Sequence, residues 1–268
     1  MSVKIDRPAE VGEYDEPLQA LLQLVWGDGF LSPGGPEEIA RILEGTDLRG
    51  RRVLDIGCGL GAVDVQLVEP HGAAHVTGID LEPDLVEKAR ARARRAGFAE
   101  RIDTRQVTPG PLPFADARFD VVFSKDSIVQ IPDKRAIFCE AHRVLRAGGE
   151  LLVSDWLRGG EGAYSPEMLE YFRLEGITYN MASADETRAA LAEAGFIDIS
   201  VHDRSDWYRE LARQELAAMS GPWLPTLIET LGRERADHFV TNWRQLVLVL
   251  DRGELRPTHL KARKPGTR

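Results

Sequence analysis

Cysteine is nearly missing from this chain: two in 268 residues, Cys58 and Cys139. That excludes a disulfide scaffold, and neither cysteine has the CxxC or Cys/His spacing of a zinc site. Long apolar runs are absent as well, none approaching the ~18–20 residues of a membrane span. The opening residues Met1-Ser2-Val3-Lys4-Ile5-Asp6-Arg7-Pro8 lack the apolar centre of a secretory signal. Positive charge is the third shortage. Lys and Arg number 34 against 43 Asp and Glu, a net charge of −9, which disfavours nucleic acid as a partner because phosphate binding needs basic patches. The basic cluster Arg90, Arg92, Arg94 and Arg95 falls at a helix end, where it complements the helix dipole. What remains, 43% hydrophobic and 29% charged, is the balance of a folded globular chain. The expectation is a reduced, cytoplasmic protein with a small-molecule partner, no nucleic acid, no membrane and no metal.

Strand and helix signals alternate along the middle of the chain. Apolar runs predict strands at 53–56, 75–80, 101–107, 119–123, 150–155, 196–202 and about 259–263. Helices fall between them: one to about residue 69, one from Pro83 stopped by Gly97, one from about 132 to 145 closed by Gly148-Gly149, and one over 184–194 stopped by Gly195. Strands alternating with helices imply an α/β fold with a mostly parallel sheet covered on both faces. The chain reads as one domain of four parts: an N-terminal helical cap or lid over 1–50, a core over 51–204, a helical insertion over 205–250, and a last strand with tail over 251–268. The insertion carries Trp207, Tyr208, Trp223, Phe239 and Trp243, which serve as core or together roof a ligand pocket.

The strongest chemical signal is Val53-Leu54-Asp55-Ile56-Gly57-Cys58-Gly59-Leu60-Gly61. A strand feeds a glycine turn and a helix follows, so a ligand can sit at the strand's carboxyl end. Asp80 ends the second strand 19 residues after Gly61, where a carboxylate can take both hydroxyls of a ribose. Dinucleotide folds carry GxGxxG in the same setting, and glycines also serve plain helix–strand packing. Here the spacing is Gly57-x-Gly59-x-Gly61, with Asp55 two residues ahead. That pattern suits the cationic methionine end of S-adenosylmethionine (SAM) better than a pyrophosphate.

On these residues the chain resembles the class I SAM-dependent methyltransferases over about 50–204 plus the final strand. The resemblance implies a Rossmann-like seven-stranded sheet with an antiparallel last strand. It implies SAM as cofactor and S-adenosylhomocysteine as product. Asp55 and the glycines would lie along methionine and ribose, with Asp80 and Leu81 beside the ribose. Adenine would lie near Val107 and Thr108; Gln106-Val107-Thr108-Pro109 lacks the acid usual in that family, and the Thr108 hydroxyl is its substitute.

Three further segments resemble the phosphoethanolamine (phosphobase) N-methyltransferases: Tyr14 with Trp26-Gly27-Asp28-Gly29-Phe30-Leu31-Ser32-Pro33-Gly34-Gly35, then Phe123-Ser124-Lys125-Asp126-Ser127-Ile128-Val129-Gln130-Ile131-Pro132-Asp133-Lys134, then Ser154-Asp155-Trp156. The resemblance places Tyr14, Leu31, Ser32 and Lys125 around the cofactor. It places Tyr14 and Gln130 at the reacting centre and beside the acceptor; from residue type and position, Asp126 after the fourth strand can hold an ammonium there, and Trp156, Tyr171 and Tyr179 offer π faces to a cation or serve as core. Two departures alter the expected substrate. Gln130 stands where that family has histidine, and Glu175 falls near its phosphate-gripping arginine. A carboxylate in a phosphate cradle is repulsive, so the expectation is N-methylation of a small cationic amine or amino-acid-like molecule. Transfer to sulfur or oxygen, methylation of phosphoethanolamine itself, and a non-catalytic SAM-binding module are the alternatives. Asp126 has a second reading as a helix cap, and Asp126 and Gln130, four apart, share a face if their segment is helical.

Overall fold

A computed structural model describes residues 14–266; residues 1–13 of the expected cap and 267–268 of the expected tail lie outside them. Seven strands form one sheet: β1 Arg52–Ile56, β2 His75–Asp80, β3 Ile102–Gln106, β4 Phe119–Lys125, β5 Leu145–Arg158, β6 Ile197–Asp203 and β7 Leu255–Arg263. Their order is β3-β2-β1-β4-β5-β7-β6. β3 to β5 run parallel, and β7 runs antiparallel between β5 and β6. The expected Rossmann-like sheet with its antiparallel last strand is therefore what the chain forms. The order reverses between β1 and β4, so a crevice opens at their carboxyl ends, where α/β sheets bind ligands.

Among the described residues, ten α-helices surround this sheet. The first two, α1 Glu16–Trp26 and α2 Gly35–Ile42, precede it, and α3 Ala62–Val68, α4 Pro83–Arg95, α5 Lys134–Val144, α6 Pro166–Glu175 and α7 Ala184–Glu193 connect its strands. The remaining three, α8 Ser205–Met219, α9 Leu224–Leu231 and α10 Arg233–Asp251, make up the insertion. Local chemistry sets their ends. Pro83 opens α4, and Ser183 with Glu186 makes a full capping box on α7. Asp15, Asp133 and Ser165 cap α1, α5 and α6 through their side chains.

Two apolar clusters pack the sheet, one on each face, around Leu54, Val122 and Leu151 and around Val53, Val121 and Leu152. Alternate residues of a strand face opposite sides, so central strands covered on both faces read as continuous apolar runs. A third cluster joins α1, α6, α8, α9 and α10 with Val129. It contains Tyr208, Phe239 and Trp243, with Trp207 and Trp223 packed against it. The insertion therefore combines with α1 and α6 as a second apolar mass beside the sheet's ligand edge.

Two local expectations are corrected. Helix α5 stops at Val144 rather than at Gly148-Gly149. Leu145 already pairs with Phe119, and the glycines form an irregularity inside β5 before Glu150 resumes pairing with Val121. Residues 128–130 form a single 3-10 turn, not an α-helix. Asp126 precedes it with φ 58°, a left-handed conformation, so the shared-helix-face argument for Asp126 and Gln130 does not hold.

Candidate active site

The glycine loop follows β1 directly. Gly57 has φ 81°, and a Cβ there would lie 2.0 Å from Ser127 Oγ, so only glycine lets the loop pass this close to the end of β4. Gly59 has φ 51°, and its N–H donates to Asp80 Oδ2 at 2.9 Å. Its α-carbon faces Leu31 of the cap, which would stand 3.2 Å from an added Cβ. Gly61 precedes α3. Asp80 Oδ1 accepts from the Glu82 N–H at 3.1 Å, so the carboxylate is fixed by two backbone donors and points with Leu81, 52% exposed, toward the crevice. Burial raises the Asp80 pKa against those hydrogen bonds. The next edge is closed by Val107, whose N–H donates to Asp80 O at 2.9 Å, and by exposed Thr108.

A carboxylate held by backbone donors at the end of β2, beside a left-handed glycine turn, fits a ribose-bearing ligand. Asp55 is placed differently from the expectation. It lies 1% exposed beneath the loop, its carboxyl against that of fully buried Asp64 on α3, and neither carboxyl has another hydrogen-bond partner. Burial pushes both upward, Asp55 to about 7. Asp55 thus supports the loop from below rather than lining the crevice surface.

Lys125, 4% exposed at the end of β4, ties three parts together. Its ammonium donates to Ser32 Oγ at 2.6 Å, to Pro33 O at 2.8 Å and to Asp126 Oδ2 at 2.9 Å. Asp126 Oδ1 accepts from Ser154 Oγ at 3.1 Å, and its N–H donates to Ser154 O at 2.7 Å. Asp126 therefore caps no helix; α5 is capped by Asp133. The Gln130 turn is held from behind by Asp155, whose Oδ1 accepts from the Val129 N–H at 3.0 Å, and by Lys134, whose ammonium donates to Ile131 O at 2.7 Å. Burial raises Asp155 to about 7 and lowers Lys134 to about 8.

Above this platform lies a half-open cavity of about 50 Å³. It brings together Tyr14, Leu31, Ser32, Asp126, Gln130, Trp156, Tyr171 and Tyr179, eight residues singled out from sequence. Tyr171 and Tyr179 hydroxyls lie 3.2 Å apart, and Tyr179 stacks on Phe172. The insertion supplies Tyr208 and Trp243, so the aromatic roof is real for those two; Trp207, Trp223 and Phe239 pack elsewhere in the cluster.

Several residues of the site escaped the sequence reading. Glu175, noted only for its position, lines the cavity and accepts from Asn242 Nδ2 at 2.5 Å and from Tyr171. Glu215 lies behind Trp26, Tyr208 and Trp243; two indole N–H groups donate to it at 2.8 and 3.0 Å, yet burial raises it to about 7. Glu38 on α2 accepts from Arg204 at 2.9 Å and meets His259 Nε2 at 2.7 Å, joining the cap to β7. Arg92 lies in the last turn of α4, as the dipole reading expects, and makes a further contact. Its guanidinium grips both oxygens of Asp28 at 2.7 Å and donates to Leu60 O, latching the cap to the glycine loop. Apart from Tyr171 with Glu175, one helical turn apart, these pairings have no local sequence signature, because each joins residues 28 or more positions apart.

Comparison with known proteins shows a methyltransferase family. The family described as a methyltransferase domain matches residues 47–208. A phosphoethanolamine N-methyltransferase from Triticum aestivum is 33% identical over 233 residues, 87% of this chain and 45% of the relative. The chain thus spans about half the length of such curated relatives. The 27-O-demethylrifamycin SV methyltransferase of Amycolatopsis mediterranei is 32% identical, covering 78% of this chain and 83% of that protein. Phosphoethanolamine N-methyltransferase 2 of Haemonchus contortus, solved with phosphomonomethylethanolamine and S-adenosylhomocysteine, superposes with a TM-score of 0.83 at 26% identity, over 91% of this chain and 56% of that one. Among the described residues no helix is long and apolar enough to cross a membrane.

Proposed function

Because the chain belongs to the SAM-dependent methyltransferases, we propose that it transfers a methyl group to the nitrogen of a small amine that carries no phosphate. One observation carries this reading. Among the described residues no Lys, Arg or His lines the acceptor cavity, whereas Asp126, Glu175 and a set of aromatic rings do. A phosphate there would face two carboxylates, Glu175 and the Lys125-paired Asp126, and no cation on the cavity wall. An ammonium would face π surfaces and charge-assisted acceptors.

Bound SAM supplies an electrophilic methyl on a sulfonium. The residues of this chain then have separable tasks. Gly57, Gly59 and Gly61 admit the cofactor's methionine side, Asp80 and Leu81 take the ribose, and Val107 and Thr108 border the base. Leu31, Ser32 and Tyr14 close over it from the cap, with Lys125 fastening the Ser32 loop. Gln130 can donate and accept hydrogen bonds but cannot remove a proton, so it orients the acceptor. The amine's proton leaves to water, to Tyr14 or to Asp126 before its lone pair aligns with the methyl carbon. The enclosing rings of Trp156, Tyr171 and Tyr179 exclude water and favour the cationic product.

The relatives named for phosphoethanolamine supply the contrast that tests the reading. Release of S-adenosylhomocysteine is measured over ethanolamine, sarcosine, N-methylated diamines and phosphoethanolamine. An unphosphorylated amine should have the highest kcat/KM. Preference for phosphoethanolamine overturns the reading. The relative named for an O-methylation supports a second reading, transfer to oxygen, and product analysis separates the two.

A further inference from the structure

The cavity's two carboxylates differ in what already neutralises them. Asp126 is paired with Lys125 at 2.9 Å and also accepts from Ser154 Oγ. Its charge is answered within the protein. Glu175 accepts only from neutral donors, Asn242 Nδ2 at 2.5 Å and the Tyr171 hydroxyl. No described Lys, Arg or His lines the cavity to balance it.

Its position makes that charge harder to hold. Glu175 is the last residue of α6, followed by Gly176 in the left-handed C-terminal position. A helix C-terminus carries partial negative charge and favours cations, so an acid there is electrostatically wrong-signed. Tyr171, Tyr179, Tyr208 and Trp243 wall it in with aromatic surface. Glu175 is half-buried, and desolvation pushes its carboxyl above its ordinary range. A half-buried, wrong-signed, cation-free carboxylate costs stability unless something else brings the opposite charge. Aromatic faces are the surfaces that accompany an organic cation.

We propose that Glu175, and not Asp126, is the specificity-determining residue that receives the acceptor's positive charge, so that the acceptor binds as an alkylammonium. This rests on the amine reading above. Asp126 then serves chiefly to hold Lys125, and through it the Ser32–Pro33 loop, over the cofactor crevice. Glu175 is a binding group, with Asn242 and Tyr171 positioning its carboxylate.

The test uses ligands that cannot be methylated, so it is independent of turnover. Choline is a permanent cation, 3,3-dimethylbutan-1-ol is its neutral isostere, and phosphocholine adds an anionic group. Affinities are measured by calorimetry on the full chain with saturating S-adenosylhomocysteine, for wild type, Glu175→Gln and Asp126→Asn. Wild type should bind choline at least tenfold more tightly than the neutral isostere. Glu175→Gln should lose that preference, and Asp126→Asn should retain it. S-adenosylhomocysteine affinity reports whether each variant is folded. If Glu175→Gln fails to fold, the wild-type ratio still decides, because a ratio near one overturns the proposal. Retention of the preference in Glu175→Gln, or its loss in Asp126→Asn alone, also overturns it. Tighter wild-type binding of phosphocholine than of choline overturns the amine reading itself, a result distinct from the choline-to-isostere ratio.

Discussion

Removing the Lys125 ammonium should cost more than removing any single surface charge, and the structure supplies the magnitude. Side-chain exposures of the Lys125–Asp126 pair are 2% and 6%. Breaking such a buried pair by deleting one partner costs about 3–5 kcal/mol, mainly from the charge left behind. Lys125→Met also leaves the Pro33 carbonyl, now bonded at 2.8 Å, without its buried donor, a further cost of about 1–3 kcal/mol where water cannot replace it. Partial relaxation of the cap offsets some of this, so we expect a loss of about 4 kcal/mol. At roughly 2–4 °C per kcal/mol for a chain of this size, Tm should fall by roughly 8–16 °C. The double variant Lys125→Met/Asp126→Asn removes both charges and should recover about 2 kcal/mol, a coupling that a double-mutant cycle reads directly. Urea unfolding gives the stabilities, and S-adenosylhomocysteine calorimetry should show weaker binding in both variants because the Ser32–Pro33 loop is unfastened. A single variant that loses less than about 1 kcal/mol refutes the latch. So does strict additivity with Asp126→Asn.

Two other outcomes follow from the same geometry. Burial opposes ionisation of Glu38, but His259 and Arg204 outweigh it and hold the carboxyl down from 4.5 to about 2. A depressed folded-state pKa stabilises above the unfolded value, so this contribution, at most about 3 kcal/mol, is complete above pH 4.5 and fades as pH falls toward 2; Glu38→Gln should flatten that acid limb of the urea-derived stability curve, and an unchanged limb places the acid sensitivity elsewhere. The segment from Tyr14 to Gly35, fastened by Lys125 and Arg92, should gain amide-exchange protection when S-adenosylhomocysteine binds, and unchanged exchange there counts against its closing over the cofactor.

The central strands were legible because they are apolar on both faces and bounded by glycine, proline or polar turns, as Val53 to Gly57 illustrates. The cofactor side was legible for a related reason. Gly57, Gly59 and Asp80 depend on backbone conformation and spacing, which a linear pattern records. The acceptor side was legible only in part. Tyr14, Asp126, Gln130, Trp156, Tyr171 and Tyr179 do converge on one cavity, but their ion pairing did not follow from spacing. Lys125 neighbours Asp126 in sequence, yet only the fold shows it pinned by Ser32 and Pro33, leaving Glu175 as the carboxylate without a cation. Gly148-Gly149 misled because a helix stop and a strand irregularity use the same residue, and the helix had already ended where Leu145 paired with Phe119. Long-range pairs such as Arg92 with Asp28 and Glu38 with His259 have no signature short of the folded chain.

The most direct measurement is where a labelled methyl group lands. SAM carrying a carbon-13 methyl is supplied with equal concentrations of ethanolamine and phosphoethanolamine, and products are read by nuclear magnetic resonance and mass. The account predicts label on nitrogen, predominantly on the unphosphorylated amine. Label on the ethanolamine oxygen, or predominantly on phosphoethanolamine, would contradict it.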